Sequence, residues 1–105
     1  MNSGQTLAHY EIIRPLGKGG MGEVYLAHDT KLKREVALKF LPEAVRNDSE
    51  RLRRFRTEAE AAAKLNHPNI ATIHSIEEFD NQIFITMERV DGSRYRTTFQ
   101  MVAWT

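Results

Sequence analysis

The sequence contains no cysteine, which excludes disulfide bonds and thiolate metal sites and fits a reducing cytosol. It also has no run of about 18 or more apolar residues, so no membrane-spanning segment is predicted in this chain. The first ten residues, MNSGQTLAHY, lack the basic and apolar pattern of an export signal. We therefore expect a cytoplasmic location.

Neither sign of charge is in excess. Fifteen Lys and Arg face fourteen Asp and Glu, and the net charge of +1 gives no electrostatic reason to expect nucleic acid or an anionic membrane as a partner. Acidic residues interleave with the one arginine cluster, so we interpret it as a solvated helix face rather than a nucleic-acid patch. The cluster consists of Arg51, Arg53, Arg54 and Arg56.

Glycine is scarce, yet four of the six glycines lie between positions 17 and 22. Gly17, Gly19 and Gly22 fit the pattern Gly-x-Gly-x-x-Gly and separate two strand-like runs. Without side chains at these positions, backbone N–H groups can approach a triphosphate closely. The pattern is weak alone, because other loops and dinucleotide-binding turns share it.

A lysine follows inside a third apolar strand, residues 34–41 (REVALKFL). The two-residue period of a strand divides this run between two faces, with Val36, Leu38 and Phe40 on one and Ala37, Lys39 and Leu41 on the other. An ammonium group in such a run must find an anion, because an unpaired buried charge costs several kcal/mol or loses its proton.

Residues 48–65 are rich in helix formers and contain no glycine or proline, which predicts a helix that Asn66 and Pro68 end. Its apolar residues recur at three- and four-residue steps: Leu52, Phe55, Ala59, Ala62 and Leu65. Glu58 lies at the edge of this stripe, where its carboxylate could pair with Lys39. The alternative is a partly solvated helix carboxylate.

Other nucleotide-binding patterns fit poorly. A Rossmann turn requires a helix straight after the third glycine, but Glu23-Val24-Tyr25-Leu26 is typical of a strand. A Walker A loop requires Gly-Lys-Ser or Gly-Lys-Thr at its end, whereas Glu23 follows Gly22. The four histidines have no spacing that predicts a metal site.

Taken together, the glycine loop, Val24 and Val36-Ala37-Leu38-Lys39 resemble the glycine-rich loop and third-strand lysine of eukaryotic-type protein kinases. The run Phe55-Arg56-Thr57-Glu58-Ala59 and the sequence Leu65-Asn66-His67-Pro68 resemble the αC helix and its exit in bacterial serine/threonine kinases. In that family, a glutamate of this helix pairs with the lysine.

The resemblance implies an α+β fold, the small lobe of a protein kinase, with a five-stranded antiparallel sheet and one αC-type helix. Two strand pairs flank the lysine strand: residues 10–16 with 23–29, and 70–78 with 82–87, the second joined by a turn at 79–81. We expect residues 1–9 to be an N-terminal extension, 10–92 the partial kinase domain and 93–105 a tail unlike the family.

ATP is the implied ligand, accompanied by magnesium in intact members of the family. Met87 would guard the back of the adenine pocket, and Glu88, Arg89 and Val90 would begin the hinge, where the family frequently has an aromatic residue instead of Arg89. The residues expected to contact the nucleotide are Leu16, Gly17, Lys18, Gly19, Gly20, Met21, Gly22, Glu23, Val24, Ala37, Lys39, Met87, Glu88 and Val90.

The 105 residues contain neither the His-Arg-Asp motif nor the Asp-Phe-Gly motif that supply the family's catalytic base and metal ligands, and we expect the large helical lobe to be absent from them. We therefore expect the ATP-binding part of a serine/threonine kinase, without phosphoryl transfer or a metal site of its own. Two alternatives stay open. One is a non-catalytic module that binds nucleotide or docks on a full-length kinase or a second copy, and the other is a decayed or frame-shifted gene product.

Overall fold

The computed structural model describes residues 3–19, 22–64 and 72–89. This part of the chain forms a six-stranded antiparallel sheet and two helices. The strands are β1 (Thr6–Leu7), β2 (Tyr10–Gly19), β3 (Gly22–Asp29), β4 (Arg34–Phe40), β5 (Ile73–Phe79) and β6 (Gln82–Glu88). The helices are α1 (Glu43–Arg46) and α2 (Ser49–Ala63). The predicted α+β small lobe, with its antiparallel sheet and one long helix, is confirmed.

The strand order is β1-β2-β3-β4-β6-β5, so β4 lies inside the sheet with β3 on one side and β6 on the other. Two elements were not predicted. β1 is a two-residue edge strand within the segment assigned as an N-terminal extension, and α1 is a single turn with buried Val45. Both are too short to produce a periodic pattern, which explains why the sequence did not reveal them.

The helix α2 begins where the sequence predicts. The side chain of Asp48 accepts hydrogen bonds from the backbone N–H groups of Glu50 and Arg51, both at 3.1 Å, and thereby satisfies two donors of the first turn. Phe55 and Ala59 are fully buried against the sheet, as the apolar stripe predicts. The predicted end of the helix, from Leu65 to Pro68, lies outside the described residues.

The predicted hairpin is present as β5 and β6. Asp80 and Asn81 form its two-residue turn, with φ of 52° and 63°. Positive φ at both central positions gives a turn whose twist matches the twist of the flanking strands, and Asp and Asn tolerate this conformation better than most residues. The first residues of the predicted strand, 70 and 71, lie outside the described part of the chain.

Both faces of the sheet are buried. On one face β4 contributes Ala37 and Leu41 to a helix-side core, and on the other it contributes Val36, Leu38 and Phe40 to an aromatic core, as the two-residue period predicts. The helix-side core also contains Val24, Val45, Phe55, Ala59, Ile73, Ile83, Ile85 and Met87. The aromatic core also contains Leu7, Tyr10, Ile12, Tyr25, Ala27 and Phe84.

The sheet curls around its aromatic core. Tyr10 on β2 donates a hydrogen bond to the carboxylate of Glu77 on β5, although three strands separate β2 from β5 in the sheet. Its ring also meets Phe84 edge-on, with the ring centroids 5.8 Å apart. Burial and the neighbouring carboxylate raise the pKa of Tyr10, so its hydroxyl group stays protonated as the donor.

One glycine of the β2–β3 hairpin, Gly22, is held closely against β4. Gly22 has φ of +112°, and a Cβ atom placed on it would lie 2.1 Å from the backbone oxygen of Phe40. A Cβ atom placed on Gly17, on the opposite strand of the same hairpin, would meet no atom within 4 Å. Of these two glycines, only Gly22 is required by the backbone geometry.

We expect Gly22→Ala to lower the free energy of unfolding by at least about 1 kcal/mol, because alanine combines an unfavourable positive φ with a backbone clash. Gly17→Ala is the matched control and should be neutral or stabilising by up to about 1 kcal/mol. Urea denaturation of the two variants measures the difference. Equal stability of both variants would contradict the account of Gly22.

Candidate functional site

Lys39 lies at the centre of the candidate site. The strand pairing places Val24 of β3 opposite Lys39 on one side and Ile85 of β6 opposite it on the other. None of the lysine surface is exposed to solvent. The side chain shares its face of β4 with Ala37 and Leu41, so its ammonium group is on the side of the helix-side core.

Burial controls the ionisation of this lysine. Burial removes the ammonium group from water and so disfavours its charged form. This lowers the pKa of Lys39 from its ordinary value of 10.5 to about 7. Burial therefore favours the neutral form of Lys39 more than it does for an exposed lysine. An anion placed beside the ammonium group would shift this equilibrium toward the charged form.

The glycine hairpin lies directly beside this strand. Gly17 pairs with Val24, and Gly19 pairs with Gly22 at the end of the described ladder. Lys18, opposite Glu23, has its backbone in β2 but its side chain lies outside the described set. Gly20 and Met21, at the tip of the hairpin, lie outside the described residues.

At the base of the hairpin, Glu23 is held in place by the hydroxyl group of Tyr25, which donates a hydrogen bond to its carboxylate at 2.8 Å. Burial and this carboxylate together raise the pKa of Tyr25, which keeps the hydroxyl protonated. Glu23 also lies opposite Phe40, next to the close approach of Gly22.

An apolar patch adjoins Lys39 on the same face of the sheet. Val24, Ala37 and Met87 belong to one buried cluster, and Leu16 packs against it from β2. Ala37 and Met87 lie directly opposite each other on β4 and β6. Four of the residues that are expected to contact the nucleotide, Leu16, Val24, Ala37 and Met87, are thus neighbours in three dimensions.

Glu58 lies in α2, next to buried Ala59 and one turn from buried Phe55. Its side chain lies outside the described set, so the ion pair between Glu58 and Lys39 stays a prediction. A different ion pair links α2 to the sheet, in which Arg56 Nη2 lies 3.4 Å from Glu78 Oε2 on β5.

The start of the predicted hinge has contacts that the sequence analysis missed. The backbone N–H of Glu88 donates to the carbonyl oxygen of Thr72 at 2.9 Å, and the side chain of Glu88 accepts a hydrogen bond from the N–H of Thr72 at 2.9 Å. On the other side, Arg89 Nε lies 3.2 Å from Glu35 Oε1. Only the opposite charges of Glu35 and Arg89 could have signalled this pair, once β4 and β6 were known to be neighbours. Val90 lies outside the described residues.

Within the described ranges, no group of three or more His, Cys, Asp or Glu side chains is arranged to hold a metal ion. None of the helices in that part of the chain is both long and apolar enough to cross a bilayer.

The protein kinase domain family matches residues 10–103 of the chain. The chain belongs to the protein kinase family. The match continues beyond Gly92, the last residue that the sequence analysis assigns to the kinase-like segment, and the domain boundaries stay a prediction. The family uses ATP and magnesium.

Bacterial serine/threonine kinases are among the relatives. Serine/threonine-protein kinase PknF of Mycobacterium tuberculosis is 51% identical over 90 residues, which cover 86% of this chain and 19% of PknF. Serine/threonine-protein kinase PrkC of Bacillus subtilis is 51% identical over 83 residues, which cover 79% of this chain and 13% of PrkC. The chain therefore spans about a fifth or less of the length of these relatives.

A solved structure shares the fold. The kinase domain of Mycobacterium tuberculosis PknI superposes with a TM-score of 0.73 and 45% identity, covering 87% of this chain and 37% of the PknI domain. The chain is thus the small-lobe part of a bacterial serine/threonine kinase domain. Because the 105 residues contain no His-Arg-Asp and no Asp-Phe-Gly motif, they do not suffice for phosphoryl transfer.

The lowered pKa of Lys39 predicts a pH-dependent stability. A lysine in the unfolded chain has a pKa of about 10.4, whereas burial lowers the pKa of Lys39 to about 7. Between these pH values the unfolded chain binds a proton that the folded chain has released. The free energy of unfolding should therefore rise with pH across this window, by up to about 1.4 kcal/mol per pH unit from this group.

Urea denaturation of the wild-type chain and of Lys39→Met between pH 6.5 and pH 9.5 tests this prediction. The largest slope that one titrating group can contribute is ~1.4 kcal/mol per pH unit. The variant should lose this part of the slope and should gain stability at the acid end. Lys31→Met, in an exposed turn, is the control and should keep the slope. The same slope in wild type and Lys39→Met would show that Lys39 does not titrate in this window.

Proposed function

We propose that this part of the kinase binds ATP on the helix-side face of the sheet. The observation that carries the proposal is the position of Lys39, fully buried between Val24 and Ile85 beside the glycine hairpin. Burying an ammonium group lowers the stability of a domain, and an anionic ligand that restores its charged form offsets this cost.

The apolar patch supports the proposal that this part of the site binds the adenine base. Val24, Ala37 and Met87 are almost completely buried and carry no polar side-chain atoms that need partners. Such a surface suits the flat face of an aromatic base, with polar recognition left to backbone groups. We assign these backbone groups to the segment that begins at Glu88.

The glycine hairpin supports binding of the phosphates. Its backbone can approach an anion closely because Gly17 and Gly22 have no side chains, and Gly22 is anchored against the backbone of Phe40. We propose that Leu16 to Val24 cover the phosphates, that Lys39 donates hydrogen bonds to their oxygens, and that Glu58 orients Lys39.

We assign no magnesium site to the described residues of this part of the kinase. The described residues provide no group of ligating side chains, and the motifs that ligate the metal in the family are absent from the 105 residues. We therefore assign no chemical step to it here.

We further propose that the site serves phosphoryl transfer to serine or threonine of a protein substrate when the rest of a kinase domain supplies the catalytic base. The similarity to PknF and PrkC, which are serine/threonine-protein kinases, supports this assignment. ATP is a cytoplasmic metabolite, and we place the nucleotide site in the cytoplasm for that reason.

Isothermal titration calorimetry of the chain with MgATP tests the proposal. Lys39→Met should weaken binding roughly tenfold or more at pH 7.5, because a hydrogen bond to a charged group contributes about 1.5–3 kcal/mol. Lys31→Met, with its side chain in an exposed turn, should bind as the wild type does.

The pH dependence sharpens this test. Above pH 7 the free chain has to protonate Lys39 before the phosphates can use its charge, so log Kd should rise with pH, with a slope approaching about one per unit. Lys39→Met should show no such slope. Absence of MgATP binding by the wild-type chain, or equal binding by both lysine variants, would refute the proposed function.

As a second candidate, we propose that the lobe associates with a second copy or with a complete kinase of the same type. The observation that favours this is the exposure of two large hydrophobic side chains, Leu32 at 62% and Phe79 at 47%. Leu32 lies in the β3–β4 turn and Phe79 lies at the opposite end of the sheet, so each would anchor a separate contact rather than one contiguous patch.

Sedimentation velocity over a range of concentrations tests for association. Leu32→Asp or Phe79→Asp should weaken self-association roughly tenfold, the effect of losing an interface anchor. Arg53→Asp, an exposed change on α2, is the control. A wild-type chain that stays monomeric at all concentrations and does not bind a complete kinase would exclude this candidate.

A further inference from the structure

The chain is held from both sides where β6 ends. Thr72 lies on one side of Glu88, next to the start of β5, and Glu35 lies on the other side, next to the start of β4. This is the position at which the backbone leaves the sheet toward the segment that we assign to adenine recognition.

On the β5 side, two hydrogen bonds join the same two residues. The N–H of Glu88 donates to the carbonyl oxygen of Thr72, and the N–H of Thr72 donates to Oε1 of Glu88, both at 2.9 Å. The carboxylate thus takes the place of a backbone acceptor in the ladder. Glu88 is thereby fixed through both its backbone and its side chain.

On the β4 side, the contact is an ion pair in register with the sheet. Val36 is opposite Glu88 in the antiparallel ladder, so the next step of that ladder places Glu35 opposite Arg89. The 3.2 Å contact between Arg89 Nε and Glu35 Oε1 lies at this step. The pair therefore continues the pairing of β4 and β6 one residue beyond the last strand residue.

We propose that Glu35, Thr72, Glu88 and Arg89 form a hinge clamp that sets the position of the backbone following β6, and that Arg89 is a positioning residue for base selectivity. The proposal rests on the proposed ATP site and adds the base-selective part of it. Arg89 acts through the backbone, since its side chain is directed to Glu35 rather than to the apolar patch. The ion pair with Glu35 offers a reason for arginine at position 89, where the family frequently has an aromatic residue.

The clamp should affect selectivity more than stability. The side chains of Arg89 and Glu35 are 55% and 41% exposed, and exposed ion pairs contribute little to folding because water and salt screen them. Adenine and guanine present a donor and an acceptor, respectively, at the same ring position. Backbone groups discriminate between them only if they are held in place.

The test compares MgATP and MgGTP binding by the wild-type chain, Arg89→Glu, and the charge-swapped double variant Glu35→Arg/Arg89→Glu. Arg89→Glu should weaken ATP binding roughly twofold to fivefold and bring the ATP and GTP affinities closer together, and the double variant should restore both quantities. Arg54→Glu, an exposed charge reversal on α2, is the matched control and should leave both affinities unchanged.

Amide hydrogen exchange provides a second readout that needs no nucleotide. Arg89→Glu should speed exchange at the N–H of Glu88, which is bonded to Thr72, while exchange in the core of β4 stays at the wild-type rate. The double variant should restore the protection of Glu88.

The outcomes separate this inference from the proposed function. If the wild type binds ATP in a Lys39-dependent way but Arg89→Glu keeps the wild-type ATP affinity and the wild-type ratio of ATP to GTP binding, the hinge clamp is overturned and the ATP site stands. A uniform loss of ATP and GTP binding, or a loss that the double variant does not restore, also overturns it. If the wild type binds no ATP, the proposed function fails and the clamp fails with it.

Discussion

The burial of Lys39 in the middle of β4 constrains the rest of this lobe. A strand that carries a lysine between two apolar neighbours needs flanking strands on both sides to bury it, and β3 and β6 supply them. The same two strands bring Val24 and Met87 to the face that Lys39 occupies. The apolar patch and the charge are therefore consequences of one packing arrangement.

The glycine hairpin is coupled to Lys39 through the backbone. Gly22 contacts the backbone oxygen of Phe40, the residue that follows Lys39, at a distance that no side chain would permit. A movement of this end of β3 would therefore displace β4, and with it the lysine. This close contact fixes Gly22, at the start of β3, relative to the strand that carries Lys39.

Stability and function oppose each other at Lys39. Burial lowers the pKa of its ammonium group to about 7 and so favours the neutral form, whereas phosphate recognition requires the charged form. A methionine of similar length would suit the core better, in the way that hydrophobic replacements of buried charges often stabilise proteins. We interpret the lysine as a functional residue whose burial lowers the stability of the lobe.

Much of the fold could be predicted from the sequence because the patterns that specify it involve residues close together in the chain. The apolar period of β4, the stripe containing Phe55 and Ala59 and the Asp80-Asn81 turn each depend on residues a few positions apart, and the structure contains them all. The glycines and Lys39 likewise lie within 23 positions of one another in the sequence, so their pattern alone indicated a nucleotide site.

Tertiary structure alone decided which strands became neighbours. Placing β6 between β4 and β5 puts Ala37 opposite Met87 and Glu35 beside Arg89, pairs that lie 50 or more positions apart in the sequence. The sequence by itself determined the faces of the strands and the residues available for binding, because side-chain periodicity is a property of the local backbone. Three features arise only when the strands assemble into the sheet, because each depends on atoms contributed by another strand. They are the register of distant strands, the clash that requires Gly22 and the lowered pKa of Lys39.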